Sequence, residues 1–183
     1  MARRREPARP PALGARALLE RLARHRVDYV LIGGVAERLW GSPRLTDDLD
    51  VCPATGRTNL RRLAAALNGL GAAFRPAGPE EGFAPPEPWS ESSLGNFTSL
   101  ALTTPHGWLD VWFRPDGTSG YDELVRNAGE VELGGIPVRI ASLDDIIRSK
   151  EAAGGTRYLA QLPLLRELRE QRRRLKEERE TEQ

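Results

Sequence analysis

Apolar and polar residues follow two rhythms along this chain. From Leu13 to Arg26 the apolar residues Ala15, Leu18, Leu19, Leu22 and Ala23 recur at i, i+3, i+4 and i+7, the stripe of an amphipathic helix. Val27 to Ile32 is a short apolar run that predicts a strand, Val35 to Trp40 a short helix, and Asp47 to Cys52 a second strand with apolar residues at alternate positions. Thr58 to Leu70 predicts another helix, with Leu60, Leu63, Ala64, Leu67 and Leu70 inward, Arg57, Arg61 and Arg62 outward, and Gly71 closing it. A short strand is expected around Ala72 to Phe74, and then Pro76 to Pro88 is a Pro/Gly/Glu loop without period.

Phe97 to Thr103 and Trp108 to Phe113 are two β-prone runs joined by Thr104-Pro-His-Gly107, which predicts a hairpin. His106 falls in that turn and is expected to be exposed. Tyr121 to Asn127 predicts a short helix, and Val131 to Ile140 a second hairpin turning at Gly134-Gly135. Ser142-Leu-Asp-Asp145 opens a helix as a capping box, with Asp145 where Glu is usual. That helix carries Ile146, Ile147 and Lys150 and stops near Gly154-Gly155. A final helix from about Arg157 holds Leu159, Leu162, Leu164, Leu165 and Leu168, then turns almost wholly charged. Residues 1–12, with three consecutive arginines and three prolines, are expected to be a disordered basic arm. Residues 13–168 form one domain, and 169–183 a charged helical tail.

Composition narrows the class. A chain of 183 residues with 39% apolar content holds one core. No run is long enough to span a bilayer, and no apolar stretch follows the basic N-terminus as a secretory signal would require, so a cytoplasmic location is expected. Cys52 is the only cysteine, which excludes an intramolecular disulfide or a thiolate zinc cluster. The net charge of +1 is unevenly spread: residues 1–27 carry eight arginines against two glutamates, whereas 28–157 carry twelve basic and eighteen acidic residues. A basic arm on an acidic body suits either solubility or a nucleic-acid contact. Only Lys150 and Lys176 are lysines. Because an ammonium is a compact charge and not a guanidinium fork, Lys150 stands out as chemically chosen.

The chemistry concentrates between Leu31 and Val51. In a strand, Asp48 and Asp50 point to one face while Leu49 and Val51 point to the other. Two carboxylates on one face repel, and a hard cation such as Mg²⁺ between them resolves the repulsion. Gly33-Gly34, between an apolar strand and a helix, lets backbone approach a ligand beside a helix N-terminus suited to phosphate. Asp110 lies mid-strand between Trp108 and Trp112, where a carboxylate is costly unless a metal or an arginine partners it.

Gly33-Gly34, Arg44-x-Thr46-x-Asp48-Leu49-Asp50, the later strand Asp110 and the still later Lys150 resemble the nucleotidyltransferase superfamily with a DNA polymerase β-like core. More narrowly they resemble its AbiEii/MenT type of toxin. The resemblance runs from about Val27 to about Leu165. It implies an α/β (α+β) nucleotidyltransferase fold: a mixed central sheet with flanking helices, followed by C-terminal helices. It also makes Asp110 the third metal ligand beside Asp48 and Asp50. The cofactor implied is two Mg²⁺ ions, with Mn²⁺ as a substitute, about 3.5–4 Å apart. The reaction implied is transfer of NMP from an NTP to an acceptor hydroxyl, with Gly33, Gly34 and Lys150 meeting triphosphate charge. Asp110 would lie nearest the attacking hydroxyl. Arg44, Thr46, Arg157 and, more weakly, Arg38 are further nucleotide-binding candidates. The partners implied are an NTP, an RNA acceptor such as the tRNA 3′ end, and an antitoxin protein, with no membrane.

The pattern is not complete. Relatives of that type carry carboxylates after the helix Lys, where this chain has Tyr158 and Gln161. Two other readings therefore stand beside the first: transfer to a small molecule or a protein side chain, and a catalytically silent nucleotide- or RNA-binding member of the fold.

Overall fold

The computed structural model describes residues 12–76 and 82–181, so the basic arm expected at 1–12 lies outside the described residues except for Ala12. The chain builds one seven-stranded sheet in the order β3-β4-β5-β2-β1-β7-β6. Its strands are β1 (Tyr29–Ile32), β2 (Asp48–Pro53), β3 (Ala73–Phe74), β4 (Ser99–Thr104), β5 (Gly107–Trp112), β6 (Gly129–Leu133) and β7 (Ile136–Ile140). The helices are α1 (Ala15–Arg24), α2 (Gly33–Leu39), α3 (Arg57–Gly69), α4 (Glu91–Leu94), α5 (Tyr121–Asn127), α6 (Leu143–Ala153), α7 (Thr156–Leu159) and α8 (Leu162–Thr181). The sheet is mixed, as expected: β2 runs parallel to β5 and antiparallel to β1, while β1 runs parallel to β7.

Strand alternation decides what the sheet buries. Leu49, Val51, Leu109 and Val111 are fully buried on one face, and Leu18, Leu22, Leu63 and Leu67 of α1 and α3 belong to the same core. Asn59 joins α3 to the end of β1 inside this layer. Its Oδ1 accepts from the Asp28 backbone at 2.7 Å, and its Nδ2 donates to the carbonyls of Asp28 and Ala54. The opposite face of β2 and β5 carries Asp48, Asp50 and Asp110 and is left for the site.

Several elements differ from the sequence expectation, among them α4, which the apolar pattern does not announce. The final helix does not start at Arg157; it breaks into α7 and α8, because Pro163 has no backbone N–H and is tolerated only in a first helical turn. At Ser142 only part of the capping box forms. Its Oγ accepts from Asp145 N, but the Asp145 carboxylate takes the Ser142 hydroxyl instead of the cap N–H, being one atom shorter than Glu.

The far half of the loop after Pro76 is tied down. Phe83 makes a two-way backbone bridge to Phe74 and stacks on its ring, and Trp89 and Phe97 complete the aromatic cluster. α8 runs unbroken past Leu168, and Arg172 lies over the Trp40 ring while donating to the Trp40 carbonyl. Trp40 Nε1 in turn donates to the Ala141 carbonyl at 2.7 Å, so α2, β7 and α8 are fastened at one corner.

Candidate active site

A cavity of about 670 Å³ opens over the polar face of β2 and β5, beneath α2 and α6. Its floor is set by register. In the parallel β2–β5 pair Asp48 lies opposite Trp108 and Asp50 opposite Asp110. Asp48, Asp50 and Asp110 each present a carboxylate oxygen within 4.8 Å of the others.

The neighbours of each carboxylate differ. Asp48 Oδ1 accepts from Thr46 Oγ1 at 2.5 Å, and Asp50 Oδ1 from Trp112 Nε1 at 3.1 Å. Burial, reinforced by the charges of Asp48 and Asp110, pushes the Asp50 carboxyl up to about 7 against the opposing pull of Trp112 and Lys150. Asp110 is also pushed up by burial, with Arg75 pulling the other way and Asp48 adding to the rise. Arg75 Nη2 donates to Asp110 Oδ2 at 2.8 Å, and its guanidinium sits 4.4 Å from the Trp108 ring centroid. Asp110 Oδ1 is buried with no hydrogen-bond partner.

This donor set fits a hard divalent cation. It consists of carboxylate oxygens only, converging from two strands, with one buried oxygen left unpaired and a proton affinity raised by burial and, after it, by mutual repulsion.

The glycines have a more local reason than phosphate approach. A Cβ on Gly33 would lie 2.1 Å from Asp50 Oδ2, and one on Gly34 would lie 2.6 Å from Thr46. Gly33 also has φ +64°, a region that disfavours a side chain. The pair therefore lets α2 press directly onto the carboxylate strand. Both glycines line the cavity, and α2 starts at Gly33, two residues earlier than the apolar pattern indicated.

The structure places Arg44, Thr46, Lys150 and Arg157 at the cavity wall with the three aspartates. Arg38 is different. It is exposed and donates to the Arg44 carbonyl at 3.0 Å, bracing the turn before β2, and does not line the cavity. Lys150 is not a loose cation: its Nζ lies 2.8 Å from Glu37 Oε1, donates to Gln161 Oε1 at 2.7 Å, and sits 5.0 Å from the Tyr158 ring centroid.

Glu37 and Arg75 were not singled out from sequence. Glu37 reads as an ordinary polar helix residue, and Arg75 as one arginine among many. The mid-strand Asp110 did call for a metal or an arginine, and it has an arginine; what sequence lacked was its number.

No protein-family model matches the chain, and no curated protein matches it either. Among solved structures, the antibiotic-resistance factor ANT(2'')-Ia superposes with a TM-score of 0.50 at 17% identity, covering 92% of this chain and 94% of that one. The chain has a nucleotidyltransferase fold. A candidate nucleotidyltransferase from Thermotoga maritima, TM1012, superposes with a TM-score of 0.49 at 15% identity, over 85% of this chain and 91% of that one. No helix among the described residues is long and apolar enough to cross a membrane.

Proposed function

We propose that this protein is a divalent-metal-dependent nucleotidyltransferase that moves NMP from an NTP to an acceptor hydroxyl, with RNA as the acceptor. The observation that carries this reading is the convergence of Asp48, Asp50 and Asp110 in one cavity, with Asp110 Oδ1 buried and unpaired. Asp48, Asp50 and Asp110 would hold Mg²⁺ or Mn²⁺, which when bound supplies Lewis-acid charge to the phosphates in an in-line displacement. The residues do the rest. Gly33 and Gly34 keep backbone close to the carboxylates, and the Lys150 ammonium, on the same wall, offsets triphosphate charge. Asp110 would take the proton of the attacking hydroxyl, while Arg75, stacked on Trp108, holds its Oδ2.

The cavity lining is mixed: Arg44, Arg75, Lys150 and Arg157 stand among Glu37, Asp47, Asp48, Asp50, Asp110, Asp116 and Asp145, so RNA as the acceptor draws its support from the motif resemblance and not from the charge of the wall. The tRNA 3′ end as acceptor, a toxin-like or defence role, and an antitoxin partner draw their support from the motif resemblance alone. A small-molecule acceptor uses the same carboxylates and is separated from RNA by the same assay.

That assay incubates the protein with Mg²⁺, each α-labelled NTP in turn and total RNA or a panel of small hydroxyl compounds, beside Asp48→Ala. Label in an RNA band from the wild type alone is the expected result, with transfer by Asp48→Ala lower by about 10³-fold or more. Label only in a small compound refutes the RNA acceptor. Transfer that survives Asp48→Ala refutes the metal-ligand role.

A further inference from the structure

Glu37 is a carboxylate whose side chain is only 3% exposed, on the third residue after the glycine pair. A buried carboxylate without a counter-charge is strongly unfavourable, and the charged group against it is Lys150, 12% exposed, 2.8 Å away. The contact is close but off-axis, since Glu37 Oε1 makes no directed hydrogen bond. Directionality comes instead from Gln161. Its Nε2 donates to the Arg157 carbonyl at 2.8 Å, which fixes the amide so that Oε1 faces the ammonium at 2.7 Å. The Tyr158 ring closes a third side. The break between α7 and α8 puts Tyr158 and Gln161 within reach, and α2 brings Glu37 from the opposite side.

An ammonium has three donors, and only one is directed into this cage. Lys150 lines the cavity together with Asp50, and the donors that Gln161 does not take are left for a ligand there. A surface Lys–Glu pair needs no such enclosure. Three side chains from α2, α7 and the α7–α8 junction, all lining the same cavity as Lys150 of α6, fix one cation beside the acidic cluster.

We propose that Glu37 and Gln161 are positioning residues that hold the Lys150 ammonium at the cavity wall as a contact for the polyphosphate of the nucleotide. The inference rests on the nucleotidyltransferase reading for its ligand, but its test does not require turnover. Glu37→Gln removes the counter-charge with no change in side-chain size, and adding Gln161→Glu restores the charge on the other side of the ammonium at the loss of the Nε2 bond to the Arg157 carbonyl.

Lys150 and Lys176 are the only lysines, so ζ-¹⁵N-lysine labelling gives two side-chain ammonium signals, with Lys176 as an internal reference. The probe is tripolyphosphate with Mg²⁺, followed by calorimetry, and the NTP KM and kcat are measured wherever transfer is detected. Glu37→Gln is expected to move the Lys150 signal alone, to weaken tripolyphosphate binding about fivefold or more, and to raise KM more than it lowers kcat. The double variant is expected to recover binding in part. Unchanged tripolyphosphate affinity in Glu37→Gln overturns the proposal, as does a double variant that recovers the Lys150 signal without recovering binding. Wild-type protein that binds tripolyphosphate in this Glu37-dependent way yet transfers no nucleotide leaves the positioning role standing and refutes the reaction. Transfer with unaltered KM and kcat in Glu37→Gln does the reverse.

Discussion

Asp50→Asn is the perturbation whose sign the site geometry fixes most firmly. The Asp50 carboxyl is pushed up to about 7 from 3.8 by burial and by Asp48 and Asp110. The folded protein therefore holds a proton that the unfolded chain releases near pH 4. Because the folded value is the higher one, the associated stability is complete below the unfolded pKa and is lost as pH rises through the folded one. A shift of about three units corresponds to at most about 4 kcal/mol at pH 8. Asparagine keeps an oxygen for Trp112 Nε1 and carries no charge, so Asp50→Asn is expected to be more stable than wild type at pH 8 and equal to it near pH 4. At two to four degrees per kcal/mol for a chain of this length, the gap in Tm at pH 8 is about 10 °C. Thermal unfolding of both proteins by circular dichroism between pH 4 and 9, in chelator, measures it. With Mn²⁺ added at pH 8 the wild type should gain stability and the variant should not. Parallel curves across pH, or a variant less stable than wild type at pH 8, would refute the picture of a strained acidic cluster.

Three other perturbations test the scaffold. Gly33→Ala drives a methyl into the space of Asp50 Oδ2 and requires φ +64° of an alanine; Mn²⁺ affinity by calorimetry should fall at least about tenfold, while Gly56→Ala, with nothing near its Cβ, should match wild type. Arg75→Ala leaves Asp110 buried without its cation, and urea unfolding in chelator should show a loss of about 3 kcal/mol that Mn²⁺ partly recovers. Asn59→Ala strips three backbone partners at once and should lower stability by about 3 kcal/mol in the same urea assay, with Mn²⁺ affinity unchanged.

Local rules made much of this molecule legible. The alternation of Asp48, Leu49, Asp50 and Val51 encodes which side of the strand is polar, and turn residues mark both hairpins where they form. What could not be read is what depends on a second element. Glu37 lies on a seven-residue helix whose period alone gives no reason for burial; only the packing of α2 against α6 and the sheet encloses it. Arg75 precedes a loop and acquires its role when β3 pairs with β4 and brings it over Trp108. The glycine pair was legible as a place of close approach, but the partner is Asp50 and Thr46, a long-range contact. Pro163 did carry the signal for the α7–α8 break, and its missing N–H outweighs the leucine spacing that runs through it.

The site and the core are specified by the same residues. Leu49 and Val51 of β2 and Leu109 and Val111 of β5 have no exposed surface, and strand geometry then obliges Asp48, Asp50 and Asp110 to share the other face. A register slip of one residue in β2 would place two carboxylates in the core and two aliphatic side chains in the cavity. That costs several kcal/mol on the apolar side alone, at about 1.5–3 kcal/mol for each side chain exposed, before the buried charges are considered. The burial and repulsion that together raise Asp50 oppose this arrangement by a comparable amount at most. Four buried aliphatic side chains and the helices over them therefore outweigh three crowded carboxylates, and the cluster keeps its place because the opposite face of the same two strands cannot be placed anywhere else.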